Sequence, residues 1–273
     1  LVSTPDRHLL FFGTETTIGT TSTQDDMFIR WSDQESIDAS TSYAPSATNT
    51  AGTQRLADGT RIIAAIRGRD AIYVWTDHAL FIMRFVGAPF VFSFQQVGTG
   101  CGLIGKNAAV EVDGSAYWMS ENGFFRYTGK LESMACLVED YVFDDINTVP
   151  RSHIFAGLNN LFGEVTWFYP GSGAASNNRS VTYNYMDSTP ERPVWTTSTL
   201  ARSAWADSAV FGKPHGTEYD SSATSDSTVG NTDGVSTYYE HETGVNQIKA
   251  GASSAIAASI ESGDFDISRT QGG

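Results

Sequence analysis

One segment of this sequence comes close to the pattern of a phosphate-binding loop. Residues 100–107 read GCGLIGKN, against the phosphate-loop pattern GxxxxGK[ST]. That chemistry needs a hydroxyl after the lysine to hold Mg²⁺ and a helix that begins at the end of the loop. Asn107 stands in place of the hydroxyl, and residues 108–112 look like a strand. The sequence therefore favours a glycine-rich connection between strands.

Two groups of neighbouring carboxylates could serve as the acid and base of glycoside hydrolysis. Asp140, Asp144 and Asp145 form one group, and Asp25 and Asp26 form the other. Asp140 and Asp144 would lie one turn apart on a helix, where a solvated face is the usual outcome. A calcium loop would need alternating acids and a glycine, which this sequence lacks. Coordination of a single ion by Asp25 and Asp26 stays open.

The histidines and cysteines do not have the spacing of a metal site. The histidines are at positions 8, 78, 153, 215 and 241, and the sequence contains no HExxH, HxH or GxSxG motif. Cys101 and Cys136 form neither a CxxC pair nor a disulfide framework, so we expect both to be reduced, buried, small apolar residues. We therefore expect no catalytic, metal-binding or cofactor-binding residue, and a protein that is not an enzyme.

The charge balance argues against a protein that binds nucleic acid tightly. The chain has 17 basic and 31 acidic residues, a formal net charge of −14. Binding to phosphates depends on lysines and arginines that displace counterions, and here they are few. An acidic wall that lets DNA pass without adhering fits this charge, and so does ordinary solubility. No apolar run is long enough for a membrane-spanning helix.

The composition indicates an all-β protein. The chain has 273 residues with 16 Phe, 11 Tyr and 6 Trp, and only 18% of its residues are charged. Thr, Ser, Tyr, Phe, Val and Gly outweigh the good helix formers, a bias that favours strands joined by turns. The length fits one large β domain or two smaller ones.

Runs rich in strand-forming residues recur between turn signals, and two stretches break the pattern. Residues 137–147 have apolar positions at helical spacing, which predicts one short helix. The polar composition of residues 38–58 predicts a long loop. Residues 214–248 contain six acidic residues and no Lys or Arg, which predicts an acidic mobile loop. The predicted strands are at 9–12, 27–31, 61–66, 71–75, 79–85, 108–112, 115–119, 124–127, 155–158, 164–169, 180–185, 202–205, 209–212 and 235–240.

Tryptophans mark a repeat along the chain. Trp75 and Trp118 are 43 positions apart, and Trp118 and Trp167 are 49 apart. A module of this length with about four short strands is typical of a propeller blade. One such sheet cannot bury both faces alone, so blades stack and share their apolar faces. We predict a β-propeller-like stack of four-stranded blades with long loops; a β-sandwich with irregular hairpins is the alternative.

An ordered series of short phrases resembles the tail nozzle (tail tubular) proteins of short-tailed bacteriophages. The resemblance spans nearly the whole chain, and it depends on the order of the phrases more than on any one of them. The phrases are RHLLFFG at 7–13, IRWSDQE at 29–35, TAG at 50–52, VWTD at 74–77, ALFIM at 79–83, VGAP at 86–89, YWMSENGFF at 117–125, DYVFDDIN at 140–147 and ESGDFD at 261–266.

The resemblance implies a structural component of a phage tail, made in the host cytoplasm and assembled into the virion. It implies that residues 1–273 are part of a nozzle propeller platform, and that the chain is an excerpt of a longer one. Such a subunit would form a ring, a hexamer, below the tail adaptor ring. DNA would leave through the lumen without specific binding, and tail fibres would attach near the junction. The resemblance supplies no catalytic residues.

A second function fits the same composition. Aromatic side chains at blade tops could stack on sugars, as in a host-surface propeller that binds or cleaves glycans. Residues 113–118 only approach the S-x-D-x-G-x-x-W box expected of a sialidase-type propeller. The missing set of acid, base and arginine residues weighs against the cleaving form.

Overall fold

The protein is all-β, as predicted from its composition. We describe it from a computed structural model, which covers residues 1–37, 40–220, 235–249 and 252–259. The described strands form four four-stranded antiparallel sheets, one three-stranded sheet and one two-stranded hairpin. Each sheet is a meander whose strands pair in chain order. None of the helices within the described ranges has the length and apolarity to cross a bilayer.

The five larger sheets are numbered here in chain order. Sheet 1 contains β1 Val2–Ser3, β2 Leu9–Glu15, β3 Gln24–Trp31 and β4 Gly52–Arg55. Sheet 2 contains β5 Ile62–Arg67, β6 Ile72–Thr76, β7 Ala79–Gly87 and β8 Val91–Thr99. Sheet 3 contains β9 Ala109–Val112, β10 Ser115–Ser120, β11 Gly123–Tyr127 and β12 Leu131–Ser133. Sheet 4 contains β13 Phe155–Asn159, β14 Glu164–Tyr169, β15 Arg179–Asn184 and β16 Trp195–Ser198. Sheet 5 contains β17 Ala204–Ala206, β18 His215–Asp220 and β19 Val235–Glu240, and the hairpin is β20 Asn246–Lys249 with β21 Ala252–Ala255.

The sheets contact one another through their first strands. β5 lies against β1 and β2, β9 lies against β5, β13 against β9, and β17 against β13. The chain therefore enters each sheet beside the previous first strand, runs outward, and returns to begin the next sheet. This stacking of blade-like sheets agrees with the predicted fold class.

The second strand of each central sheet is buried on both faces. In β6, Ile72 and Val74 pack with sheet 1, whereas Tyr73 and Trp75 pack in the core shared with sheet 3. Opposite faces of one strand thus belong to two different hydrophobic clusters. This explains why strands of sheets 2–4 read as nearly continuous apolar runs and do not alternate.

The repeated tryptophans occupy equivalent places in three successive sheets. Each lies on the second strand, opposite an alanine of the first strand, and each is fully buried. The pairs are Trp75 with Ala64, Trp118 with Ala109, and Trp167 with Ala156. A small residue beside the neighbouring first strands leaves room for the indole, so the repeat seen in the sequence is a repeat of packing.

The fourth strands of the sheets were missed by the sequence analysis. β4 lies inside the predicted loop of residues 38–58, and β8, β12 and β16 were not recognised either. Most residues of these outer strands are partly or fully exposed. Their side chains therefore lack the apolar pattern by which strands are recognised.

The described part of the chain contains two α-helices, where one was predicted. α1 spans Glu139–Asp145, inside the predicted range of residues 137–147, and it buries Val142. Tyr141, one of the apolar residues of the predicted helix, is 54% exposed. α2 spans Ser208–Phe211, where a strand was predicted. The Asp207 side chain accepts a hydrogen bond from the Ser208 amide, and Gly212 ends the turn in the left-handed conformation, so local capping outweighs strand propensity.

The acidic stretch of residues 214–248 contains strands where a loop was expected. β18 and β19 lie within it and pair with each other over six residues, from His215 with Glu240 to Asp220 with Val235. β20 begins near its end. Residues 221–234, at its centre, lie outside the described residues.

Candidate functional site

Residues 101–108 join three sheets through backbone hydrogen bonds. The amides of Cys101 and Leu103 donate to the carbonyls of His78 and Thr76 in sheet 2, at 3.0 and 3.1 Å. The Ile104 amide donates to Met119 of sheet 3, and the Asn107 carbonyl accepts from Ala156 of sheet 4 at 2.8 Å. The phosphate-loop-like segment is therefore a connection between strands, as the sequence favoured, and it leads into β9 without a helix.

A pocket of 460 Å³ lies where the first strands of sheets 3, 4 and 5 begin. We call it the first-strand pocket. Its lining comes from the chain just before β9, from the segment leading into β13, from the loop between β14 and β15, and from β17 and β18. The residues that line it are Asn107, Ser152, His153, Phe155, Ala156, Ser176, Asn177, Ser203, Ala204 and Tyr219.

Asn177 ties two sheets together in the wall of this pocket. Its side-chain nitrogen donates to the carbonyls of His153 at 2.7 Å and Arg202 at 3.0 Å. Both partners are acceptors, so the amide nitrogen must face them and the amide oxygen must point away. Asn177 is 8% exposed, and its Oδ1 is buried without a hydrogen-bond partner among the described residues. Such a buried, unpaired acceptor costs about 1–3 kcal/mol.

The remaining polar groups of the pocket are exposed or half-buried. His153 is exposed, and its Nδ1 lies 2.9 Å from the Ala175 carbonyl oxygen. Since a carbonyl can only accept, Nδ1 carries the proton and the Nε2 of the neutral ring is an acceptor. Asn107 and Ser152 are also exposed, and Ser176 is half-buried. The site thus offers amide, hydroxyl and imidazole groups.

Two aromatic rings border the same pocket. Phe155 stacks on Phe168 with ring centroids 4.9 Å apart, which fixes its orientation. Tyr219, on β18, is 43% exposed. The pocket therefore combines apolar walls with several hydrogen-bonding groups, the usual composition of a small-molecule site.

A buried arginine lies behind the pocket, next in the chain to Ser203. Arg202 is 6% exposed, its Nε donates to Nε2 of His241 at 3.0 Å, and its guanidinium lies 4.2 Å from the centroid of the Tyr239 ring. Glu218 lies 3.8 Å from the same guanidinium. Burial, the Arg202 charge and His215 lower the pKa of His241 to about 4. A neutral His241 can accept from Arg202, which stabilises sheet 5 at neutral pH.

The carboxylates considered from the sequence do not converge on a site. Asp140 and Asp144 are exposed on α1, the solvated face that was expected. Asp145 pairs with Arg179 at 3.1 Å. Asp25 and Asp26 are consecutive residues of β3, beside a register shift in its pairing with β2. Asp25 pairs with Arg55, and the Met27 amide and Arg55 lower its pKa.

Histidine and cysteine side chains are the other candidates for metal coordination or nucleophilic chemistry. No group of three or more His, Cys, Asp or Glu side chains able to hold a metal occurs within the described ranges. Cys101 and Cys136 are free, the first buried and the second half-buried. Burial raises the pKa of both thiols, that of Cys136 to about 12, which makes them poor nucleophiles at neutral pH.

The sequence analysis missed the pocket. His153, Asn177 and Tyr219 come from segments that are distant in the chain, and no motif links them. Comparison with known protein families and with curated proteins found no match for this chain. Its stacked sheets, its charge and the geometry of this pocket therefore carry the functional argument.

Proposed function

We propose that this chain is a structural subunit of the tail nozzle of a short-tailed bacteriophage. In this role it forms a ring with copies of itself, a hexamer, below the adaptor ring and beside the tail fibres. The genome passes through the lumen of the ring into the host. The subunit acts in the virion as a passive conduit and catalyses no reaction. The ordered phrases that resemble nozzle proteins support this proposal.

The observation that carries it is the serial stacking of sheets through their first strands. Such a stack makes a rigid platform, because each sheet buries its faces against its neighbours. We propose that the stack belongs to a β-propeller. Rigid platforms with exposed edges and loops suit a ring subunit, which must present the same surfaces to identical neighbours.

Exposed apolar groups offer contacts for the next subunit. The β7–β8 hairpin has the longest strands of the described sheets, and its tip exposes Phe90 by 78% and Val86 by 54%. Grouped apolar exposure of this kind is typical of an interaction surface. We propose that this tip packs against an adjacent copy in the ring.

The acidic charge suits a lumen through which DNA moves. With 31 acidic against 17 basic residues, the chain repels phosphates at short range. We expect no retardation of double-stranded DNA by the purified protein at physiological salt. Sub-micromolar binding to DNA would contradict the conduit.

Native mass measurement and electron microscopy of the purified chain, alone and with tail adaptor rings, test the proposal. We expect rings of six copies. A variant with Phe90→Ser should assemble less well with an unchanged unfolding midpoint, whereas Tyr141→Ser, at another exposed aromatic, should assemble normally. A protein that stays monomeric even with adaptor rings would refute the nozzle function.

A further inference from the structure

We propose that the first-strand pocket binds a single pyranose unit of an uncharged glycan. This inference goes beyond the structural role and does not depend on it. The pocket is built from three sheets, so its shape is set by the stack and not by one loop.

The chemistry of the lining selects a neutral ligand with many hydroxyl groups. Among the described lining residues there is no Asp, Glu, Lys or Arg. An anion would find no cation there, and a metal ion would find no carboxylate. The amide of Asn107, the hydroxyls of Ser152 and Ser176 and the imidazole of His153 can each exchange hydrogen bonds with sugar hydroxyls.

The aromatic walls suit the apolar face of a sugar ring. The faces of aromatic rings carry partial negative charge, and they attract the weakly positive C–H groups on one side of a pyranose. Phe155 is held in place by Phe168, so it loses little freedom when a ligand arrives. Tyr219 is partly exposed at the edge of the same pocket.

Size and polarity agree with a small ligand. The volume of 460 Å³ falls in the range of about 300–1,000 Å³ that is usual for ligand sites, and it exceeds what one pyranose needs. The Asn177 Oδ1 has no partner among the described residues. A hydroxyl donor that reached this oxygen after a small shift of the wall would satisfy it, which favours a hydroxyl-rich ligand over an apolar one.

Saturation-transfer NMR with the full chain tests the proposal. The probes are glucose, galactose, mannose and N-acetylglucosamine, with glucuronic acid as a charged comparison. We expect transfer from at least one neutral sugar with a dissociation constant on the order of millimolar, because a ligand of this size has few atoms to contribute. Weaker transfer from glucuronic acid is expected.

Substitutions in the first-strand pocket test whether the sugar binds there. Asn107→Ala and His153→Ala should each weaken it by roughly 2- to 10-fold, the effect of one lost hydrogen bond. His78→Ala, on the exposed turn between β6 and β7, should not change it. The Asn107 side chain is exposed, so Asn107→Ala should keep the unfolding midpoint even if His153→Ala alters the loop.

Three results would overturn the proposal: no transfer from any neutral sugar at about 10 mM, a preference for glucuronic acid, or binding that both pocket variants leave unchanged. Ring assembly, measured on the same samples, reports the proposed nozzle function separately.

Discussion

Sheet 3 and sheet 5 are both antiparallel meanders, of four and three strands, but they bury their residues differently. In β10 five of six residues are fully buried, whereas in β19 half-buried and exposed residues alternate. A strand between two neighbouring sheets must be apolar on both faces, and a strand covered on one face alternates. Sheet 5 accordingly holds its structure with a polar network around Arg202, where sheet 3 relies on Trp118 and its neighbours.

Sheet 5 exposes aromatic side chains that have no sheet packed against them among the described residues. Tyr238 is 63% exposed on β19, and Phe211 of α2 is 62% exposed nearby, with its ring 4.7 Å from that of His215. Equivalent faces of sheets 2–4 are covered by another sheet. Within the described residues, the stack therefore ends on an uncovered aromatic face.

The largest expected effect comes from removing an indole between two sheets. Trp118 is fully buried, and its Nε1 donates to the Cys101 carbonyl at 2.7 Å. Trp118→Ala should lower the free energy of unfolding by about 3–5 kcal/mol, since it leaves a large cavity and an unpaired carbonyl. Urea denaturation followed by fluorescence or circular dichroism measures this loss.

Tyr238→Ala is the matched change on sheet 5. Because this side chain is exposed, the variant should lose no more than about 1 kcal/mol. If the two variants lost similar amounts of unfolding free energy, the residues of sheets 3 and 5 would be buried to the same extent, which would contradict the difference between the two sheets.

A smaller loss is expected where the connecting segment crosses sheet 2. A Cβ on Gly102 would lie 2.2 Å from the carbonyl oxygen of Asp77, and backbone atoms cannot move aside easily. Gly102→Ala should therefore destabilise the protein by about 2–3 kcal/mol. Thermal or urea unfolding would measure the change.

Gly173→Ala is the control that measures the cost of backbone strain without a steric clash. Gly173 has a φ of +75° and open space around its Cβ position, so the substitution should cost only about 1 kcal/mol. If Gly102→Ala cost no more than Gly173→Ala, the segment 101–108 would not pack as closely on sheet 2 as described.

A smaller effect than that of Gly102→Ala is expected from a pH dependence that belongs to sheet 5. His241 has a pKa of about 4 in the folded protein, against 6.5 for an ordinary histidine. Above pH 6.5 His241 is neutral in both the folded and the unfolded chain, so its contribution to the free energy of unfolding is fully present. As the pH falls towards 4, the unfolded chain takes up the proton first, and stability is lost.

His241→Gln should remove this component. Between pH 7 and pH 4.5 the wild-type protein should lose up to about 2 kcal/mol more than the variant, a value reduced for the partial exposure of the ring. Unfolding free energies at several pH values give the difference. Parallel pH profiles for the two proteins would mean that His241 does not accept a hydrogen bond from Arg202 in solution.

Strand pairs at the centre of sheets 1–4 could be predicted from the sequence. Trp75, Trp118 and Trp167 repeat because each fills the same position between stacked sheets, and such doubly buried strands leave continuous apolar runs. The helix around Val142 was recognisable for a similar reason, since part of its apolar face meets the core. Composition and charge also follow from the sequence directly.

Tertiary structure alone decided the outer strands and the pocket. β4 and β16 are short and largely exposed to solvent, so their side chains need not be apolar and show no hydrophobic pattern. The pocket needs Asn107, His153 and Asn177 in one place, and only the stacking of first strands brings them there. Local patterns report which residues are buried, whereas a site assembled from three sheets depends on contacts between residues far apart in the chain.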